Sequence, residues 1–318
     1  MLYSSEIQLP AARQRWQSLN HALLLRNQVQ LWICHLETDL AAVSGNKWLK
    51  LKYHLAAVQH EGMAGVFTFG GAFSNHLCAV AAACNQLGLT SVAYVRADKP
   101  DPANPTLRFC QQLGMQLHFV DRSSYRLRHQ SDFIRRLQQQ HPTLLMVPEG
   151  GSSADGARGV AGLDLATTPD GAADTIICAT ASGGTLAGII SRNDATVLGI
   201  AVVKDPSLPD KVLQLLPAQR SLSRWQINTD FTGAGYGRFS PELLQFCRDM
   251  AQQHLYVEPV YTGKALNGLF SLIAAGYFPA GSRLSFFHTG GLQGLKGMHY
   301  RGLITAADLA LLSGLTAG

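Results

Sequence analysis

Short apolar runs alternate with segments of helical spacing along most of the chain. VQLWICHL (Val29 to Leu36) has a strand pattern; the Ser44-Gly45-Asn46 turn follows, and then a helix opening near Lys47 in which Leu51, Leu55 and Val58 recur at helical intervals. AGVFTFGG (Ala64 to Gly71) reads as a buried strand ending in glycines, and Ser74 begins a helix of small residues, SNHLCAVAAACNQLG, that Gly88 stops. SVAYVRA is another strand. The alternation continues through a helix near 105–113, the strand MQLHFV, a helix near 131–140 and the strand TLLMVP. After a glycine-rich stretch, 149–162, a second series runs through DTIICAT, ASGGTLAGII, VLGIAVV and, much later, RLSFFHTGG. Strands that are apolar throughout and separated by helices predict an α/β fold of twisted, mostly parallel open sheets flanked by helices.

Composition narrows this picture. At 318 residues the chain is long enough for about two domains. It is 47% hydrophobic and 15% charged, which predicts a body compact throughout and excludes a long disordered polyelectrolyte tail. The net charge of +5 suits an anionic ligand, but it is spread without the basic block that a nucleic-acid partner requires. No run approaches the roughly 20 apolar residues of a membrane span, and MLYSSEIQLPAARQRW lacks a signal-peptide pattern, so a cytoplasmic protein is expected. The cysteines, Cys34, Cys78, Cys84, Cys110, Cys178 and Cys247, form no CxxC pair and read as buried reduced thiols, with no metal site expected.

In open α/β sheets, ligands bind beyond the carboxyl ends of strands. Five polar, glycine-rich segments qualify here: SGNK (44–47), GGAFSNH (70–76), PEGGSS (148–153), TASGGT (180–185) and HTGG (288–291). Thr180-Ala181-Ser182-Gly183-Gly184-Thr185 follows a strand and precedes a helix, so its amides and hydroxyls suit a phosphate, although a plain tight turn explains it too. It has neither the GxxxxGK[ST] nor the GxGxxG spacing, which disfavours ATP and NAD. Lys47 is either a solvated helix lysine or an imine-forming lysine at a pocket rim. Ser74 is a competent helix cap. The helix start could equally hold a substrate carboxylate, with the Ser74 hydroxyl near the reacting group and Asn75 bonding a phenolic oxygen. A phosphate cup plus such a lysine points to pyridoxal phosphate.

Taken together, the segments resemble the 1-aminocyclopropane-1-carboxylate deaminase and D-cysteine desulfhydrase family, within the tryptophan-synthase-β-like, fold type II enzymes that use pyridoxal phosphate. SGNKWLKLKYHL is similar to that family's GGNKxRKLxYL, and GGAFSNHLCAVAAACNQLGL to its GxxQSNHxRxxAAxAxxLGL. NPTLRFCQQLGMQL, VPEGGSSADGARG, ATASGGTLAGI, GAGYG, PVYTGKALNGL and FFHTGG follow in the family's order, from about Leu31 to about Gly294.

The resemblance implies two α/β domains with pyridoxal 5′-phosphate between them: a small one, 48–155, inserted into a large one made of 1–47 and 156–318. It also implies a small amino-acid substrate and a homodimer. Carried over residue by residue, Lys47 would bind the cofactor and move the Cα proton. Asn75 would bond the cofactor's 3′ oxygen, Ala181, Ser182, Gly183, Gly184 and Thr185 would hold its phosphate, and Thr289 would neighbour its ring nitrogen. Ser74, Asn75 and His76 would face the substrate, together with the active-site tyrosines Tyr236 and Tyr261, which otherwise read as core aromatics. The family's deaminases carry Tyr-Glu in PVYxGK, where this chain has Thr262. A neutral partner leaves the ring a weaker electron sink. That is sufficient for loss of thiolate from Cβ and less so for opening a carbon ring. The implied activity is therefore D-cysteine desulfhydration to pyruvate, ammonia and hydrogen sulfide. Cyclopropane-carboxylate deamination to 2-oxobutanoate and a non-catalytic binder of the cofactor or an amino acid are the alternatives. Phe73 in place of the family's glutamine, and Trp48 in place of a smaller residue, bear on pocket shape.

Overall fold

The computed structural model describes residues 12–38, 45–217 and 224–315, so Ser44 lies outside the described residues. The described chain opens with β1 (Ala12–Ser18), a short helix α1 (Ala22–Arg26) and β2 (Gln30–Thr38). Helix α2 (Asn46–His60) leads into a βα series: β3 (Gly65–Gly71), α3 (Asn75–Gln86), β4 (Thr90–Arg96), α4 (Pro105–Gln112), β5 (Gln116–Val120), α5 (Arg122–Arg126), α6 (Ser131–Gln140) and β6 (Leu144–Val147). These four strands form an all-parallel sheet in the order β5-β4-β3-β6. Next come α7 (Ala154–Val160) and a small antiparallel pair, β7 (Thr167–Thr168) and β8 (Gly171–Ala172). The rest is β9 (Thr175–Thr180), α8 (Gly184–Arg192), β10 (Thr196–Ala201), α9 (Leu208–Leu215), β11 (Trp225–Asn228), α10 (Pro241–Gln252), α11 (Thr262–Ala274), β12 (Arg283–His288), α12 (Gly294–Tyr300) and α13 (Ala306–Leu312).

The second sheet has the order β1-β2-β12-β9-β10-β11. The first apolar strand of the sequence, β2, pairs in parallel with the last, β12, setting Ile33 opposite Phe286 and His35 opposite His288. Residues 65–147 therefore supply a whole sheet between two strands of another. Apart from antiparallel β1, every pairing in the six-stranded sheet is parallel. The apolar pattern predicts no strand in ARQRWQS. It becomes β1 because β2 offers it an open edge, with Trp16 opposite Cys34.

Strand parity explains why these runs carry no polar alternation. In β9, Ile176 and Cys178 pack with Val160 of α7 and Leu186 of α8, while Ile177 packs with Leu243 of α10 and Leu266 of α11. In β3, Val66 faces α2 and α3, whereas Phe67 and Phe69 face Tyr125 and Leu137. Trp48 is part of the α2–α3 core with Leu51 and Leu55, so its bulk is accommodated there. All six cysteines are buried and unbridged. Among the described residues no helix is long and apolar enough to cross a membrane.

Candidate active site

Lys47 sits in the first turn of α2 because two loops touch beneath it. Gly45 has φ 94°, and its neighbour Asn46 donates its backbone N–H to the Thr289 carbonyl at 3.2 Å. A Cβ on Gly45 would lie 2.3 Å from that carbonyl oxygen, so Gly45-Asn46-Lys47 can lie against HTGG only with glycine at 45. Lys47 Nζ donates to Asn46 Oδ1 at 2.9 Å, and Asn46 Nδ2 donates to Thr185 Oγ1 at 2.8 Å. Asn46 thus ties the amine to the TASGGT loop. Burial lowers the Lys47 pKa from 10.5 to about 8, against the pull of the Glu258 carboxylate. A Gly45→Ala protein is expected to lose at least about 1–3 kcal/mol through backbone strain and to hold less cofactor. Thermal melts and cofactor stoichiometry measure both, and unchanged values in both would contradict the contact between the loops.

The TASGGT loop leaves β9 and turns into α8 at Gly183, which is left-handed at φ 84°. Gly183, Gly184 and Thr185 are buried, Ala181 is half-buried and Ser182 is exposed. The structure adds two partners that the sequence reading missed. Lys50, 1% exposed, donates to Ser152 Oγ at 3.0 Å, and Ser152 Oγ shares a 2.5 Å hydrogen bond with Ser182 Oγ. A Cβ on Gly184 would fall 3.0–3.1 Å from Lys50 Cε and Nζ and from Ser152 Oγ. A buried lysine amine with no carboxylate partner among the described residues, two hydroxyls and the amides opening a nine-residue helix could together cradle an anion. Burial, together with the nearby Lys47, holds the Lys50 pKa well below 10.5. The signal in the sequence was spacing: position 50 shares the Lys47 face of α2.

Ser74 occupies the cap position of α3, yet its side chain makes no capping hydrogen bond; its backbone N–H donates to the Gly71 carbonyl. The hydroxyl is therefore not spent on the helix. Asn75 lies against the HTGG side, with its Nδ2 3.4 Å from where a Gly291 Cβ would be. His76 is 2% exposed and lies beneath these groups, its Nε2 2.8 Å from Thr68 Oγ1. The Thr68 hydroxyl donates to the Val147 carbonyl, so Nε2 is the protonated nitrogen. Nδ1 is then buried without a partner. Burial and the Lys47 and Lys50 charges keep this ring well below its ordinary 6.5, and so neutral. Phe73 packs on α12, where a Cβ on Gly297 would meet its ring at 2.7 Å, and Arg301 lies over its face at 5.4 Å.

Tyr261 donates its phenolic proton to the Tyr236 oxygen at 2.8 Å. Tyr236 is 54% exposed and is no core aromatic. Burial, then Tyr236, pushes the Tyr261 phenol well above 10, and Glu149 of PEGGSS acts on both phenols in the same direction. Glu258 joins the site only in the folded chain. This carboxylate, 1% exposed, accepts the backbone N–H groups of Val260, Tyr261 and Thr262 at 2.7–2.9 Å and the Thr262 hydroxyl at 3.1 Å, capping α11. Burial pushes it up to about 7 in spite of those donors. Its only sequence signal is an acid inside the apolar run LYVEPVY. Thr289, the predicted neighbour of the ring nitrogen, is buried in the loop that meets Gly45.

These strand-end loops fall inside a family match. A model described as pyridoxal-phosphate dependent enzyme matches residues 27–290, and the chain belongs to that family. It is a pyridoxal-phosphate-dependent enzyme of the fold type II architecture. It is 30% identical to the bifunctional D-cysteine desulfhydrase/1-aminocyclopropane-1-carboxylate deaminase of Arabidopsis thaliana, over 90% of this chain and 77% of that one. To the D-cysteine desulfhydrase of Klebsiella pneumoniae it is 28% identical, over 85% and 89% of the two chains. A solved structure described as an ACC deaminase homologue superposes with a TM-score of 0.74 at 26% identity, covering 94% of each chain.

Proposed function

We propose that this enzyme eliminates the β-substituent of a small amino acid, D-cysteine foremost, giving pyruvate, ammonium and hydrogen sulfide with one water consumed. The observation that carries the reading is the chain Lys47–Asn46–Thr185, which ties a low-pKa amine to an anion cradle.

The residues fit the cofactor. Lys50, Ser182, Thr185 and the amides from Ala181 onward would hold the phosphate dianion, Asn75 would donate to the phenolic oxygen, and Thr289 would neighbour the ring nitrogen. When bound, pyridoxal phosphate supplies an aldehyde for the amine and a ring that stores electrons. Lys47 Nζ anchors it and then takes the proton from the substrate Cα. Its pKa near 8 leaves about a tenth of the amine neutral at pH 7. The Ser74 hydroxyl and the α3 amides would orient the substrate carboxylate. Because Tyr261 donates to Tyr236, the Tyr236 proton is left for the departing thiolate. The small unit 48–155 and the large unit 1–47 with 156–318 would close on this cleft to exclude water.

Deamination of the cyclopropane substrate is the second reading, favoured by the similarity to the bifunctional plant enzyme. Against it stands Thr262, fully buried with its hydroxyl bonded to Glu258. Sulfide and pyruvate from D-cysteine, measured beside 2-oxobutanoate from the cyclopropane acid, separate the two, and silence toward both overturns β-elimination of D-cysteine. Thr262→Glu is expected to lower the melting temperature without creating a deaminase, because a second carboxylate against Glu258 is repelled there. Gain of 2-oxobutanoate formation in that variant would reverse the argument. Six buried, unbridged thiols agree with a reducing cytoplasm. The homodimer, implied by resemblance, is read by light scattering.

A further inference from the structure

Tyr236 is carried by a segment that cannot place it unaided. Between β11 and α10 the chain has no helix or strand, and Gly233, Gly235 and Gly237 all have positive φ, at 61°, 118° and 67°. From 229 to 239 the only backbone hydrogen bond joining two of its described residues runs from Arg238 N–H to the Gly235 carbonyl. Such a loop has many conformations to lose.

What holds it comes from α11. Lys264 is 4% exposed, and its ammonium faces three backbone carbonyls: Thr232 at 3.1 Å, Gly235 at 3.4 Å and Val202 at 3.4 Å. Three acceptors match the three protons of an ammonium, an arrangement that suits the charged form. No carboxylate bonds this lysine among the described residues; burial lowers its pKa from 10.5, and Glu258 at the start of the same helix opposes that shift. One turn further along α11, Gly268 makes room for Phe231, whose ring would lie 2.7 Å from a Cβ there. Lys264 and Gly268, at i and i+4, thus grip the loop from one helix face. That helix also carries Tyr261 at its N-terminus. The two phenols that meet at 2.8 Å are set by one rigid element, directly for Tyr261 and through the lysine for Tyr236.

We propose that Lys264 is a built-in cation in a carbonyl cage, a positioning residue that fixes the 232–235 backbone and thereby the Tyr236 hydroxyl. The inference rests on the reading that Tyr236 serves the leaving group.

It makes a prediction that a merely structural lysine does not. With the ammonium removed, the carbonyls form an open site for a small monovalent cation, since such rings replace a hydration shell. The holoenzyme of Lys264→Ala is expected to lose about 10–100-fold in kcat, the cost of a displaced catalytic hydroxyl, with KM little changed. Millimolar ammonium or potassium restores most of the loss, and tetramethylammonium, too large for the cage, restores none. The same two ions raise the melting temperature of Lys264→Ala and leave that of the parent unmoved. In a Tyr236→Phe background the lysine substitution costs little more, because both act through one hydroxyl.

A folded, cofactor-loaded Lys264→Ala with full activity, or with a loss that no small cation recovers, would overturn the proposal, as would fully additive losses. Should the alanine protein not fold, Lys264→Arg is the test. Its planar fork is expected to fold with reduced kcat, no response to ions and the same non-additivity with Tyr236→Phe, and additivity there refutes the cage. If neither amino acid above is turned over, the reading of the reaction fails, while the melting response of Lys264→Ala to ammonium still decides the cage.

Discussion

Lys47→Ala is expected to abolish turnover, with a loss of at least about 10⁴-fold, because in the proposed reaction one amine both anchors the cofactor and moves the Cα proton. Borohydride reduction followed by peptide mapping should place the cofactor label on Lys47, and label on any other lysine would refute the assignment. The pH dependence carries a second signature. Desolvation holds the amine at about 8, so the rate of cofactor attachment to apoenzyme should climb with pH and level off near that value. An ordinary lysine would keep climbing toward 10.5. The sign for stability follows from linkage. Between about 8 and 10.5 the unfolded chain binds the proton that folded Lys47 does not, so this group makes the apoprotein more stable as pH rises through that window. Denaturant titrations of apoprotein at stepped pH measure the slope, and a falling contribution from Lys47, obtained against Lys47→Met, would contradict the burial argument.

Lys50→Met is expected to act in opposite directions on the two forms of the enzyme. In apoprotein the Lys50 amine is 1% exposed, bonded to the Ser152 hydroxyl and to no carboxylate among the described residues, and burial holds its pKa well below 10.5. Replacing it with an apolar chain of similar length removes the cost of burying that amine, so the apoprotein should melt higher. With cofactor the change leaves a buried dianion short of its cation, a loss of about 2–5 kcal/mol, or at least about 30-fold in affinity. Equilibrium titration of apoprotein with pyridoxal phosphate reads the affinity, and melts with and without cofactor read the opposite signs. Unchanged affinity would remove Lys50 from the phosphate cradle.

Much of the candidate site was legible because its chemistry lies in contiguous strand-end loops. Gly45-Asn46-Lys47, Ser74-Asn75 and Ala181 to Thr185 each show a small-residue turn followed by a helix start, and local steric rules suffice to find them. The residues that escaped are those whose partners lie far along the chain. Lys50 looks like one more helix lysine until Ser152 and Ser182 are brought to it, and Glu258 looks like a solvated acid until it is folded back onto the amides of α11. Asn46 was read only as part of a turn; its amide bridges Lys47 to a hydroxyl 139 residues away.

The alternation of apolar strands with helices determined the fold class, because side chains buried on both faces of a parallel sheet leave no other pattern. It could not decide which strands are neighbours. That β2 pairs with β12, with a complete four-stranded sheet between them in the chain, is set by long-range packing of Ile33, Ile177 and Phe286 in one core. The glycine loops determined that an anion could be held. Only the tertiary structure brought the buried amine of Lys50 to the Ser152 and Ser182 hydroxyls and the carboxylate of Glu258 near Lys47, since a polar group is removed from water by elements distant in sequence.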